Sequence, residues 1–277
     1  MGHSLNRDRA WLYAHARDDL DPDQRSRFET LVLRRQQGEP IAYITGSREF
    51  YGRDFLVSPA VLIPRPETEL LVDLALARLP QTRCRVVDVG TGSGCIALTL
   101  AAERPGWQIT AVDISPAALE VCASNSQRLG LEQVRLLQGD LLGPVQDEPF
   151  DAIVSNPPYV AANDPHLEQG DLRFEPQAAL SAGPMGLAVI DRLIDQATGR
   201  LRPGGWLMLE HGHDQGRAVV DRMLRAGLHD VRTHPDLAGV DRVTLGQRPA
   251  ASRQQNLQSD RVMNGLSSRS DPRARRQ

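Results

Sequence analysis

Arg85-Val86-Val87-Asp88-Val89-Gly90-Thr91-Gly92-Ser93-Gly94 is the stretch whose reading decides the fold. An apolar run ends in an acid, three alternating glycines follow, and an apolar helical pattern begins at once. Such a strand–loop–helix unit places a ligand at the carboxyl end of a parallel strand. The glycines let the backbone turn tightly and let that ligand approach the main chain.

The same alternation repeats downstream. Strands are expected at Arg85–Val89, Gln108–Asp113, Val134–Gln138, Phe150–Ser155, Gly205–Leu209, His229–Thr233 and Arg242–Gly246. Helices fall near 94–103, 115–129, 185–199 and 214–226. Apolar strands alternating with helices imply a parallel sheet covered on both faces. The last two strands are joined only by His234 to Asp241, too short for a parallel crossover. The expectation is a doubly wound α/β sheet of seven strands with a late antiparallel strand, within a domain spanning 64–247. Pro66, Glu67 and Glu69 suit the first turn of a helix running to about Leu79.

Upstream, residues 1–40 read as two short helices forming a partial helical domain. Residues 41–63 are β-branched and aromatic with Gly46 and Gly52 between them, a hairpin-like linker. Residues 248–277 carry seven arginines against two aspartates and almost no apolar residues, the composition of a disordered basic tail.

Composition bounds the function. The net charge of −3 gives no global field to gather nucleic acid. Cys84, Cys95 and Cys122 form no C-x-x-C pair, so neither a disulfide framework nor a zinc site is indicated. No stretch is long and apolar enough for a membrane span, and the N-terminus lacks a signal-peptide core. A cytoplasmic monomer is expected.

The glycine spacing departs from the dinucleotide G-x-G-x-x-G, in which a pyrophosphate sits on the helix N-terminus. Here the third glycine comes one residue early and Asp88 precedes the loop. The second and third strands end in Asp113 and Gly139-Asp140-Leu141. Three acids at successive strand ends suit a positively charged ligand with a ribose and no phosphate. S-adenosylmethionine has those properties: Asp113 for the ribose hydroxyls, Asp140 for the adenine amino group, Leu141 against the ring. Arg65, Glu67 and Glu69 are placed at the entrance.

The fourth strand runs into Asn156-Pro157-Pro158-Tyr159. The prolines cannot donate, and each residue before a proline is held extended. The result is a stiff arm offering two acceptors, the Asn156 side-chain oxygen and the Pro157 carbonyl, with Tyr159 as a flat face. That suits an NH₂ group on a planar system. An amide nitrogen is a poor nucleophile, so orienting it carries the rate. Glu210-His211-Gly212-His213 ends the fifth strand, but histidines two apart point to opposite sides, so no metal site is expected.

These segments resemble the HemK-type peptide chain release factor N5-glutamine methyltransferases. The likeness runs through Gly38-Glu39-Pro40-Ile41-Ala42-Tyr43, Leu62-Ile63-Pro64-Arg65-Pro66-Glu67-Thr68-Glu69, Asp88 to Gly94, Val154 to Val160, Asp171-Leu172-Arg173-Phe174-Glu175-Pro176 and Leu209-Glu210-His211-Gly212. The resemblance implies a Rossmann-like methyltransferase sheet and methyl transfer to the glutamine of the Gly-Gly-Gln loop of class-one release factors. It implies cofactor contacts at Gly90, Thr91, Gly92, Ser93, Gly94, Asp113, Leu141 and Asn156, and a substrate held by Asn156 to Tyr159. Against that family's pattern only the last part of the N-terminal helical bundle is expected here, and the tail is extra. Asn-Pro-Pro-Tyr alone is shared with N6-adenine and N2-guanine methyltransferases. Those would want a target-recognition domain or a basic stripe, and a non-catalytic binding subunit would have no need of an intact arm and glycine loop.

Overall fold

The computed structural model describes residues 1–145 and 147–250. The basic tail expected at 248–277 therefore lies, from residue 251 onward, outside the described residues.

The chain opens with helices α1 (Gly2–Leu5), α2 (Arg9–Ala14) and α3 (Pro22–Gln36). Asp8 and Asp21 cap the second and third, their carboxylates accepting from backbone N–H groups of the first turn. None of the three contributes a fully buried residue, although Trp11, Leu12, Leu31 and Val32 are half-buried, and polar contacts add to the tie with the rest. Arg35 pairs with Asp171 at 3.0 Å, and Arg173 donates to the Gln37 carbonyl.

The linker expected at 41–63 is only part hairpin. Ile41–Thr45 forms a helical turn, α4, which corrects the strand-like reading. Pro40 starts it, left-handed Gly46 stops it, and the Tyr43 hydroxyl donates to the Val61 carbonyl at 2.7 Å. These contacts outweigh the β preference of Ile41, Tyr43 and Ile44. The hairpin itself pairs β1 (Ser47–Phe50) with β2 (Arg53–Leu56) across a Tyr51-Gly52 turn, both residues at positive φ.

After a short 3₁₀ turn (Pro66–Thr68) comes α5 (Glu69–Arg78), then β3 (Arg85–Val89), α6 (Cys95–Glu103), β4 (Gln108–Asp113), α7 (Pro116–Leu129), β5 (Arg135–Gln138) and β6 (Phe150–Ser155). The helical turn α8 (Gln177–Leu180), α9 (Ala188–Arg200), β7 (Leu201–Glu210), α10 (Gly216–Arg225), β8 (His229–Pro235) and β9 (Asp241–Gln247) complete the chain. Strand β7 starts earlier than expected. Its Pro203 and Gly204 sit at an irregularity where the pairing with β6 shifts register, the place a sheet tolerates proline.

The seven strands lie in the order β5-β4-β3-β6-β7-β9-β8, with β9 antiparallel to both neighbours. Alternate residues go to opposite faces. Val86, Ala152, Val154 and Met208 join one apolar cluster; Val87, Val89, Ile153, Leu207 and Leu209 join the other. Both faces are buried, as the continuous apolar runs require.

This order sets the site. The chain moves outward from β3 through β4 to β5, then returns to lay β6 on the other side of β3. Between β3 and β6 the direction of winding reverses, and in open α/β sheets ligands bind outside the carboxyl ends there. The glycine loop leaves one of these strands and the Asn-Pro-Pro-Tyr arm leaves the other. The Ser155 hydroxyl donates to the Val89 carbonyl at 2.6 Å, tying the two exits together. Among the described residues no helix is long and apolar enough to cross a membrane, and no cluster of metal-ligating side chains occurs.

Candidate active site

A cavity of about 430 Å³ opens at that reversal, the size of a small-ligand pocket. Of the sequence-derived cofactor set, Gly90, Thr91, Gly92, Ser93, Asp113, Asp140, Leu141 and Asn156 line it. Gly94 does not. It caps α6 in a left-handed conformation with Cys122 and Leu98 packed against its α-carbon. Its glycine is needed for packing behind the loop.

The loop is held by carboxylates. Asp113 accepts from the Gly92 N–H at 2.8 Å through one oxygen and from the Ser115 N–H at 2.9 Å through the other. Asp88 accepts from the Thr91 hydroxyl at 2.7 Å and the Ala97 N–H at 3.2 Å. Its second oxygen, Oδ1, is buried with no partner among the described residues. Asn125 braces the loop from below, donating to the Ser93 and Leu56 carbonyls while its oxygen accepts from the Leu56 N–H. The hairpin is thereby fastened to the glycine loop.

Burial pushes the Asp88 carboxyl up to about 7, against its hydrogen bonds from Thr91 and Ala97 and with the nearby Asp113 charge adding to the rise. The native state therefore holds a proton that the unfolded chain has released, between the ordinary value of 3.8 and about 7. Stability present at low pH is lost as pH rises through that window. Asp88→Asn removes the effect. Relative to wild type, this variant should gain at most about 3 kcal/mol of unfolding free energy on going from about pH 5 to about pH 8. Denaturant unfolding at both pH values measures it; an unchanged difference would place the Asp88 charge elsewhere.

Apolar walls complete the pocket. Leu141, at positive φ, and the exposed Ile114 both line it. Asp140 lines it too, but its carboxylate pairs with Arg192 of α9. Arg65 lines the opposite side and pairs with Glu175, whose side chain is wholly buried and also accepts from the Ile63 N–H. Glu67 and Glu69 lie outside the lining, and Glu69 turns to the hairpin, accepting from the Tyr51 N–H at 2.8 Å.

The arm divides. Asn156 and Pro158 line the cavity, whereas Pro157 and Tyr159 are outside its lining. Asn156 Nδ2 donates to the Thr68 hydroxyl at 3.2 Å, and its Oδ1 is buried without a partner among the described residues. The Tyr159 phenol donates to Glu210 at 3.3 Å, and Gln215 holds the Tyr159 carbonyl at 3.0 Å. His211 is buried and bonded on both nitrogens, to the Gly212 carbonyl and the Thr244 hydroxyl, while His213 is exposed. His211 serves the turn after β7.

Comparison with known proteins now bears on the site. A family model described as "PrmC N-terminal domain" matches residues 1–46, and "Methyltransferase small domain" matches residues 67–172. The release factor glutamine methyltransferase of Escherichia coli (strain K12) is 47% identical over 247 residues, 89% of this chain and 89% of that protein. The one from Xylella fastidiosa (strain Temecula1) is 50% identical over 248 residues, 89% of this chain and 90% of that protein. The chain belongs to the release factor glutamine methyltransferase family.

The N-terminal match of this family takes in α4 and stops where the hairpin begins. Among solved structures, a methyltransferase from Pyrococcus furiosus superposes with a TM-score of 0.55 at 19% identity, over 81% of this chain and 99% of that one. The Thermus thermophilus 16S rRNA N2 G1207 methyltransferase, in complex with AdoMet and guanosine, gives 0.54 at 20% identity, over 73% of this chain and 49% of that one. These two likenesses show the methyltransferase fold.

Four site residues of this family member escaped the sequence reading as functional groups: Thr68, Ile114, Glu175 and Glu210. Ile114 had a signal, as an apolar residue just after an acidic strand end. The other three take their meaning from partners remote in sequence. Thr68 meets Asn156 across a separation of 88 residues, and Glu175 meets Arg65 across 110.

Proposed function

We propose that this enzyme transfers the methyl group of S-adenosylmethionine to the side-chain amide nitrogen, N5, of the glutamine in the Gly-Gly-Gln motif of class-one peptide chain release factors. The observation that carries the reading is Asn156 Oδ1, a buried acceptor with no partner among the described residues, on a residue that lines the cavity at the carboxyl end of β6.

The residues present fit the cofactor. Both cavity-lining arginines, Arg65 and Arg192, are paired with carboxylates, so no cation is left over for a phosphate. Asp113 stands where ribose hydroxyls are accepted, Ile114 and Leu141 offer apolar faces for a purine, and Gly90 to Ser93 bring main chain to the cavity wall. When bound, S-adenosylmethionine supplies a methyl group activated by a sulfonium.

The protein's part is to prepare the nitrogen. An amide lone pair is delocalised, and an acceptor on each N–H hydrogen holds the NH₂ group in one orientation. Asn156 Oδ1 takes one hydrogen; Pro157 is outside the cavity lining, so its carbonyl, fixed by the following Pro158, takes the other when the substrate amide reaches past that lining to the arm. Both bonds strengthen as the nitrogen pyramidalises and gains positive charge, so they act on the transition state more than on the bound substrate. No strong base is needed in the attack, because the proton leaves after the methyl has moved.

Incubation of the purified protein with isotopically labelled S-adenosylmethionine tests the reading. Label should enter a class-one release factor and stay out of DNA and ribosomal RNA, with mass spectrometry of tryptic peptides placing one methyl on the Gly-Gly-Gln glutamine. Label confined to nucleic acid would replace this substrate by an exocyclic base amine.

A further inference from the structure

Behind the Asn-Pro-Pro-Tyr arm lies a buried support. Glu210 closes β7 beside β6 and is 1% exposed. It is outside the cavity lining. The Tyr159 phenol donates to its Oε1 at 3.3 Å. Its Oε2 is buried and, among the described residues, accepts no hydrogen bond, and the Thr68 hydroxyl is the neighbouring group placed to supply one. Thr68 is the residue that accepts from Asn156 Nδ2 at 3.2 Å. Three elements thus meet in one chain: Asn156 after β6, Thr68 before α5, Glu210 at the end of β7.

Proton counting gives this chain a direction. A hydroxyl carries one proton, and an ionised carboxylate only accepts. When the Thr68 hydroxyl turns its proton to the ionised and otherwise unpartnered Glu210 Oε2, the Thr68 oxygen is left to accept, and Asn156 turns its NH₂ toward Thr68, the orientation the structure shows. The amide is planar, and its oxygen then lies on the opposite side. Without the negative charge the order can reverse: Thr68 donates to Asn156 Oδ1, and the Asn156 NH₂ is presented instead. An NH₂ facing a substrate NH₂ makes no hydrogen bond.

We propose that Glu210 is a positioning residue for methyl transfer: through Thr68 it sets which way round the Asn156 amide lies, and through the Tyr159 phenol it anchors the same arm. The proposal rests on the reading of Asn156 Oδ1 as acceptor for the substrate amide.

The titratable and charged groups facing Glu210 are Tyr159 on the arm, Arg242 on β9, Glu67 before α5 and Cys95 at the start of α6. Burial, the largest influence, pushes the Glu210 carboxyl up to about 7; its hydrogen bonds from Thr68 and Tyr159 and the Arg242 charge oppose the rise, and Glu67 adds to it. Burial also raises Tyr159, and takes Cys95 up to about 12, so neither gains a charge near neutrality. Turnover should therefore fall on the acid side of neutrality as Glu210 takes up a proton.

The test is kcat for a full-length class-one release factor at saturating S-adenosylmethionine, from about pH 5.5 to about pH 9. Wild type should show an acid limb near neutrality. Glu210→Gln should lower kcat about tenfold or more and abolish that limb, with the affinity for S-adenosylmethionine unchanged. Thr68→Ser should recover rate relative to Thr68→Val, since only serine keeps the hydroxyl. Wild-type kcat with the acid limb intact in Glu210→Gln, while Asn156→Ala is inactive, overturns the proposal and leaves the reading of the arm standing. Full activity in both variants overturns the reading of the arm itself. If Glu210→Gln fails to fold, equal rates for the two Thr68 variants overturn the proposal.

Discussion

Asn156→Ala should lower kcat for release-factor methylation by about two to three orders of magnitude, the loss typical when one preorganised hydrogen-bonding group is removed from the site of developing charge. Its buried Oδ1 has no partner among the described residues, so the folded enzyme loses little with it. Among the described residues, the one side-chain hydrogen bond given up is that from Nδ2 to Thr68, worth about 1 kcal/mol. Thermal unfolding should therefore stay near wild type while turnover collapses. An interaction made mainly in the transition state shows as equal losses in kcat and kcat/KM. If the loss appeared in KM for S-adenosylmethionine alone, Asn156 would be a cofactor ligand with no part in orienting the substrate amide. Steady-state kinetics with each substrate varied in turn separates the two.

What the sequence disclosed depended on whether a signal was local. Strands β3, β4 and β6 lie where their apolar runs put them, because a strand buried on both faces reads as a near-continuous apolar run, with the buried polar exceptions such as Asp88 and Ser155 hydrogen-bonded at the site. The antiparallel β9 followed from the shortness of the loop before it. The helical turn α4 was hidden because Ile41, Tyr43 and Ile44 favour strands in isolation, and Pro40, Gly46 and the Tyr43–Val61 hydrogen bond decide otherwise. The early start of β7 was hidden because proline and glycine are disfavoured inside a strand, and Pro203 and Gly204 are accommodated here only at a register shift. At the site, the glycine loop and the arm were legible because backbone geometry restricts them to a few residue types. Thr68, Glu175 and Glu210 were not. A threonine or glutamate in a helix start or strand end looks the same whether solvated or buried against a partner. Tyr159 shows the converse: its residue type suggested a stacking face, and the fold turns its phenol to Glu210, outside the cavity lining.

Gly94→Ala should destabilise the protein by about 2–5 kcal/mol, a large share of the total for a domain of this kind. Two costs add. Gly94 has φ of +83°, and a β-carbon in the left-handed region costs about 1–2 kcal/mol. That carbon would also lie 2.6 Å from Cys122 Sγ and 2.9 Å from Leu98 Cδ1, overlaps inside a packed core that cost about 1–3 kcal/mol to relieve. Gly92 is the control. It too has positive φ, +55°, but no atom lies within 4 Å of a β-carbon there. Gly92→Ala should therefore carry only the backbone cost and retain the fold, its penalty falling on affinity for S-adenosylmethionine because Gly92 lines the cavity. Cys122→Ala in the Gly94→Ala background should return part of the lost stability, since it removes the nearer overlap and leaves φ and Leu98 unchanged. The double-mutant cycle from chemical denaturation measures that coupling. Strict additivity would mean that the loop moves away from Cys122 at no cost. A glycine loop that loose could not hold Thr91 against Asp88 and Gly92 against Asp113 as it does here, so the cycle tests the rigidity on which the cofactor site depends.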